Sequence, residues 1–341
     1  MSKKKKLIRI ISTFIIFAVV FMLIQRLLMP KYVDDVVEGN LIKEYYQEEN
    51  KDYDVIFIGD CEVYENFSPV KLWTEYGINS YIRGSAEQYI WQSYYLLEDT
   101  LRYHKPQVVV FNIQSLQFNK SQSEAYNRMT LDGMKWSMSK VNAINASMKE
   151  NEHFIEYVFP LLRYHSRWSE LSSDDIKYMF NKPKVTSNGY LMQVGVRPVT
   201  TVPKVSPLAN YTFSDRNYEY LDKIKDLCNE KGIKLVLIKA PSIFPHWYDE
   251  WESQIQDYAN ENNLLYLNMV DKADEIGLDY TTDTFDYGQH LNVDGAEKTA
   301  VYLGNILKDQ YRLTDHRGES ETASQWNKIV SDYNSLKTKK Q

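Results

Sequence analysis

Short apolar runs alternate along this chain with longer stretches of helical periodicity. That alternation constrains the fold more than any other feature of the sequence. The runs cover residues 54–59, 78–82, 108–113, 233–238 and 264–267. Each is too short for a self-sufficient helix and is bounded by Gly, Pro or polar residues, so each reads as a buried strand. Between them, residues 88–103 place Ile90, Tyr94, Leu97 and Leu101 on one helical face. Leu221 to Lys231 is a helix closed by Gly232, and residues 251–262 and 296–310 supply two more. Strands that alternate with helices pair in parallel through right-handed crossovers. The expected fold class is therefore α/β, a three-layer α/β/α sandwich with a mostly parallel sheet. Residues 115–210 interrupt the rhythm: they are polar and aromatic, with few strand signals. They read as a helical insertion beside the mouth of the site.

The N-terminus follows a different logic. Lys3, Lys4, Lys5 and Lys6 precede an apolar stretch from Leu7 to Met29, with Arg9 and Arg26 near its ends. About 20 apolar residues cross the hydrocarbon core of a bilayer. A cleaved signal peptide would end in small residues, whereas 25–30 is bulky and polar. Residues 7–29 thus read as an uncleaved single-pass anchor. The lysine cluster places the N-terminus in the cytoplasm and the rest outside it. The expected division is a tip and anchor over 1–31, a polar, acidic stalk over 32–52, a body over 53–313 and a loosely held polar tail over 314–341.

Composition removes several function classes. Apolar residues make up 43% and charged residues 25% of the 341, as in ordinary globular domains. With 40 basic against 46 acidic residues the net charge is −6, so no footprint for nucleic acid is present. The cysteines number 2, Cys61 and Cys228, which excludes a disulfide framework and a zinc cluster. Cys228 lies inside an amphipathic helix and reads as core. Tyrosines number 27. Tyrosine-rich clefts can bind sugars, but core is the expected use.

Ligands of parallel sheets sit beyond the carboxyl ends of the strands. Gly59-Asp60-Cys61-Glu62, Arg83-Gly84-Ser85 and Asn112-Ile113-Gln114-Ser115 follow the first three runs, and residues 283–292 precede the last helix. A thiol, an imidazole and a carboxylate meeting there would form a nucleophile, base and orienter. Cys61 is the candidate thiol, with a small buried hydrophobe as the competing reading. Among six histidines only His290 follows an acidic loop, which offers Asp283 and Asp286. His104 reads as solvated, His165 as either cleft-lining or structural, and His246 as part of an overhanging loop. Two aspartates and one histidine do not make a convincing metal set. No metal and no cofactor is expected.

These residues resemble a known superfamily. Gly59-Asp60-Cys61 is similar to the Gly-Asp-Ser nucleophile block of the SGNH (GDSL-type) hydrolases, and Asp286 to Asn292 is similar to their C-terminal Asp/His block. With Ser68-Pro69, Lys105 to Val110, Tyr164 to Trp168 and Gly295, the pattern resembles a membrane-anchored branch. That branch includes the teichoic-acid D-alanyl transfer proteins of DltD type and the alginate O-acetylation proteins. The resemblance covers roughly residues 50–312 and the anchor.

The resemblance implies that Cys61 is the nucleophile, His290 the base and Asp286 its orienter. It implies oxyanion donors at Gly84 and at Asn112, the one candidate asparagine, although the usual Gly-x-Asn-Asp string is missing. A serine is replaced by Cys61, and Asp286 stands four residues before His290 instead of three. Asp283 is therefore a fallback acid. The implied activity is extracytoplasmic acyl transfer, of an acetyl or D-alanyl group, onto a cell-envelope glycopolymer. The implied partner is a membrane-bound O-acyltransferase. An esterase acting on the same polymers and an inactive scaffold of the same fold are the alternatives.

Overall fold

The computed structural model describes residues 3–30, 40–49, 51–180, 183–202 and 204–340. Five strands form one sheet: β1 (Val55–Gly59), β2 (Ser80–Gly84), β3 (Val108–Asn112), β4 (Lys234–Lys239) and β5 (Leu265–Asn268). Their order is β2-β1-β3-β4-β5 and every pair is parallel. In chain order the helices are α1 (Lys3–Leu28), α2 (Asn40–Glu44), α3 (Cys61–Asn66), α4 (Pro69–Tyr76) and α5 (Ile90–Thr100). Within the insertion lie α6 (Glu124–Leu131), α7 (Met138–Ser147), α8 (Phe154–Val158), α9 (Leu161–Tyr164) and α10 (Ser173–Phe180). The last are α11 (Asp215–Lys231), α12 (Asp249–Glu261), α13 (Ala273–Ile276), α14 (Val293–Tyr311) and α15 (Ser320–Lys340).

The α/β/α sandwich follows from strands that are apolar on both sides. Val55 and Phe57 of β1 face a core with Val63, Leu72, Ala296 and Leu303, from α3, α4 and α14. Ile56 and Ile58 face the opposite core with Ile90, Leu97, Leu221 and Ile255, from α5, α11 and α12. Parallel sheets need helices on both faces for this reason. The chain leaves β1 toward β2, then returns past β1 to β3. The carboxyl ends of β1 and β3 thus flank the point where strand order reverses, where a crevice opens.

Three features depart from the expected layout. First, residues 40–47 are no stalk: Leu41, Ile42 and Tyr45 are buried, and the Glu44 carboxylate accepts from the Val185 N–H at 2.7 Å. An apolar stripe with one-turn spacing was hidden in an acidic stretch. Residues 31–39 of the proposed stalk lie outside the described residues. Second, the tail forms α15 and docks on the body. Trp326 stacks on Trp73 with ring centroids 5.0 Å apart and donates to Asn79 Oδ1 at 3.0 Å. Tyr333, two turns on, is also buried. Third, the helices of the insertion end at Phe180. Among the described residues from 183 to 210 there is no helix, and Leu191, Arg197 and Val199 donate backbone hydrogen bonds to Tyr64, Thr284 and Tyr280.

The abundant tyrosines mostly build core, as expected. Tyr45, Tyr53 and Tyr81 pack together, and the fully buried Arg83 lies 4.1 Å above the Tyr45 ring. A guanidinium stacked on aromatic faces is stabilised by the ring quadrupole.

Candidate active site

The site grows from the turn between β1 and α3. Gly59 ends the strand, and a Cβ there would lie 2.9 Å from Asn112 Cβ. Gly84, its register partner in β2, would bring a Cβ within 2.9 Å of Val63 Cγ2 and 3.1 Å of the Gly59 carbonyl oxygen. Only glycine at both positions lets α3 start this close to the sheet. Asp60 then caps α3 by accepting the Glu62 N–H at 3.2 Å. Cys61 is the first residue of that helix and remains half-buried.

The second half comes from the loop before α14. Asp286 Oδ1 accepts the His290 N–H at 2.7 Å, and its Oδ2 lies 2.6 Å from His290 Nδ1. The spacing of four residues closes because Tyr287 and Gly288 turn the backbone through the left-handed region, at φ 65° and 92°. Asn292 anchors the end of the loop by capping α14 and donating to the Gly195 and Thr282 carbonyls. Asp283 points elsewhere: it pairs with Lys298 at 2.6 Å and accepts the Asp279 N–H at 2.8 Å. The fallback acid is thus a loop brace, and Asp286 is the carboxylate of this loop that reaches the imidazole.

Nδ1 has a second carboxylate that sequence reasoning passed over. Glu65 Oε2 lies 3.2 Å from it, while Glu65 Oε1 accepts from Gln193 Nε2 at 2.9 Å. Glu65 follows Cys61 by one helical turn, so the two share a face of α3. That spacing could have identified it. Gln193 carried no such signal, since only the wrapping of the insertion delivers it. With Nδ1 occupied, Nε2 is the ring nitrogen left for a thiol, and Cys61 and His290 are close enough to shift each other's titration.

Electrostatics follow from this geometry. Burial pushes the His290 pKa down, but Cys61, Glu65 and Asp286 outweigh it and hold the value well above the ordinary range. The two carboxylates are the part of that effect present before any thiolate forms. Burial pushes the Cys61 thiol up to about 11, with His290 pulling in the opposite direction. Burial also raises Glu65, again opposed by His290. Both groups are thus held toward their protonated forms. Once rising pH removes the ring proton, Nε2 can take the thiol proton.

Beneath this pair lies a closed ionic cluster. Lys239 Nζ sits 3.1 Å from both carboxylate oxygens of Glu62 and donates to the Ala240 and Ser242 carbonyls. Asn112 Nδ2 donates to Asp60 Oδ1 and Glu62 Oε2, each at 3.0 Å, and Asn112 Oδ1 accepts the Ala240 N–H at 3.0 Å. Both amide hydrogens of Asn112 are therefore committed within a fully buried network, and none is left for an oxyanion. This corrects the expectation for Asn112. Gly84 stays next to the Cys61 turn. Burial, followed by the adjacent Glu62, pushes the Asp60 pKa up to about 7.

The other histidines are not gathered here. His104 hydrogen-bonds the Tyr53 carbonyl, His165 is exposed with Nδ1 on the Leu162 carbonyl, and His246 packs against the Tyr248 ring. The His104 contact replaces the solvated state expected of it. Cys228 is buried in α11. An open groove of about 440 Å³ runs beside Asp286, lined in part by Val199, Phe244, Tyr287 and Gln289.

No family model and no curated protein matches the chain. A crystal structure of a candidate acylhydrolase from Bacteroides fragilis aligns over 80% of this chain and 98% of its own, with 12% identity and a TM-score of 0.41. Nothing about the chemistry of this chain rests on so distant a likeness.

Proposed function

We propose that this protein carries an acyl group as a thioester on Cys61 and passes it to a hydroxyl of a cell-envelope glycopolymer outside the cytoplasm. The observation behind this reading is the Cys61–His290–Asp286 chain at the reversal point of the sheet. His290, once neutral, takes the thiol proton as Cys61 attacks the acyl carbonyl. The leaving group departs with that proton, which leaves the thioester. In the second half His290 takes the proton of the acceptor hydroxyl as its oxygen attacks, and returns it to the departing sulfur. The Cys61 and Gly84 N–H groups are the proposed oxyanion donors; loss of one such donor typically costs about 10²–10³ in rate.

Support for the extracytoplasmic setting comes from α1, which is long and apolar enough to cross a membrane. The acyl donor is proposed to be a membrane-bound O-acyltransferase, in keeping with the sequence resemblance. Incubation of the full chain in membranes with an activated acyl donor tests the reading: wild type forms a hydroxylamine-sensitive adduct and Cys61→Ala forms none. Addition of a glycopolymer acceptor then moves the label to polymer. Release as free acid regardless of acceptor would favour an esterase. An unlabelled wild-type protein would leave the scaffold reading ahead.

A further inference from the structure

Several of the large apolar side chains exposed on the body fall within residues 155–180, apart from others near 136–138 and 196–208. Trp168 is 73% exposed, Phe180 70%, Ile176 56% and Leu162 52%, with Ile155 and Phe159 nearby. They lie on α8, α9, α10 and the short helix between α9 and α10. The last three of these elements pack against α1. Exposed apolar surface so concentrated marks an interaction site rather than ordinary surface.

The way α1 is seated identifies what covers it. The shielded stripe on α1 runs through Ala18, Phe21, Gln25 and Leu28, at helical spacing. Phe21 meets the Phe159 ring edge-on, with centroids 6.0 Å apart. Arg167 donates to the Leu28 carbonyl at 2.8 Å and reaches Asp175 Oδ1 at 3.1 Å, which ties α10 to the end of α1. At 1.5 Å per residue, Phe21 lies about 10 Å and Ala18 about 15 Å along the helix from Leu28. The hydrocarbon core is about 30 Å thick, close to the full length of the apolar run. If α1 spans it, the body elements seated at Phe21 stand inside the outer leaflet. Drawing α1 outward by that distance would instead drag Arg9 and the lysine cluster into hydrocarbon.

We infer that α8 to α10 form a platform embedded in the outer interface of the bilayer, with Trp168, Ile176 and Phe180 among the acyl chains. Interfacial segments sit about 5–10 Å into the headgroup and acyl boundary, which matches the depth at Phe21. Lys177 on α10 suits the headgroup layer, while Arg163 is paired with Glu124 at 2.8 Å. The platform would hold the body in one orientation against the membrane. The inference rests on α1 being a membrane span, as the proposed function assumes, but not on the chemistry at Cys61.

The test uses the full chain purified alone and reconstituted in phosphatidylcholine–phosphatidylglycerol vesicles with brominated acyl chains. Trp168→Cys, Ile176→Cys and Phe180→Cys each carry an environment-sensitive fluorophore in a Cys61→Ala background. Phe14→Cys marks the span, and Lys231→Cys, at the C-terminal end of α11, is the reference on the body. The platform labels should be quenched by bromolipid several-fold more than the 231 label, and shielded from aqueous iodide. In a protein with native cysteines, Trp168→Phe should remove a bromolipid-quenched, blue-shifted fraction of tryptophan emission. Quenching at 14 with iodide access at 168, 176 and 180 would overturn the inference while leaving the anchor, and would point to a protein partner for this face. No quenching at 14 would remove the anchor and the inference with it.

Discussion

Helix α3 carries two buried glutamates three residues apart, and they serve opposite ends. Glu62 turns inward to a closed cluster in which Asp60, Asn112 and Lys239 satisfy one another without solvent. Glu65 turns toward an open cluster, where a half-buried thiol and a carboxylate-bracketed imidazole remain unspent. One helix, six residues long, therefore couples a rigid ionic floor to a reactive rim. The comparison teaches that a buried charge is structural when every partner is protein, and available for chemistry when one side of the constellation stays open. Reactive groups must be held within about half an ångström of their productive geometry, and a fully paired floor can provide that hold.

Breaking the floor should have the largest effect. Lys239→Met strands the Glu62 carboxylate in a dry interior, and removing one partner of a buried pair costs about 3–5 kcal/mol. Chemical denaturation should show that loss. The sign with pH follows from Asp60, whose folded-state pKa lies above the unfolded one and loses the lowering effect of Lys239, so the folded variant binds more protons. Its stability should thus fall as pH rises from about 4 through 7, the range between the ordinary carboxylate value and the raised Asp60 value of about 7. A loss that does not grow with pH would mean the floor is not an ionic unit.

Breaking the rim should instead spare the fold. Asp286→Asn keeps the hydrogen bond to the His290 amide but removes a charge from Nδ1. Acylation of Cys61 should drop by about 10²–10⁴ with unfolding unchanged, by analogy with triad aspartates. A rate within a few-fold of wild type would assign the orienting role to Glu65.

Asn112→Ala sharpens the boundary between the two clusters. With its amide spent inside the floor, its loss should cost about 1–3 kcal/mol of stability through unsatisfied buried groups. The chemical step should change little once the variant is folded. A rate loss as large as that of an oxyanion donor, with stability intact, would return Asn112 to the rim.

The smallest effect expected is a shift, not a loss. Glu65→Gln removes one of the two carboxylates that raise His290, and also a charge that raises Cys61. Both pKa values should fall. The curve of Cys61 alkylation rate against pH, which rises as the imidazolium loses its proton, should therefore move toward acid. An unmoved curve would separate Glu65 from the titration of the pair.

Much of this protein was legible one segment at a time. Strands such as 108–112 and helices such as 221–231 declare themselves because burial on both faces, or on one stripe, imposes a local pattern. Cys61 and His290 could be singled out because they sit at strand and helix ends, where such sheets expose their chemistry, while Asp286 was preferred to Asp283 only through the resemblance. Asp283 and Asn112 could not be judged that way. Their side chains are claimed by Lys298 and by Asp60 and Glu62, partners distant or unremarkable in sequence. The 314–341 segment misled for a related reason. Its mean polarity is high, yet Trp326 and Tyr333 fall on one face that only Trp73 and its neighbours reveal as buried.

The sequence by itself determined the α/β class, the apolar N-terminal helix and the positions of Cys61 and His290 at the ends of a strand and a loop. Those depend on periodicity and on a position relative to the nearest strand end, which are properties of neighbours along the chain. Only the tertiary structure decided which carboxylates reach His290, which amide is already spent, and that the insertion brings Gln193 to Glu65 and apolar side chains to α1. Hydrogen bonds and desolvation act over a few ångströms in space, and residues that close can be separated by any distance in sequence. Gln193 and Glu65 lie 128 positions apart and 2.9 Å away.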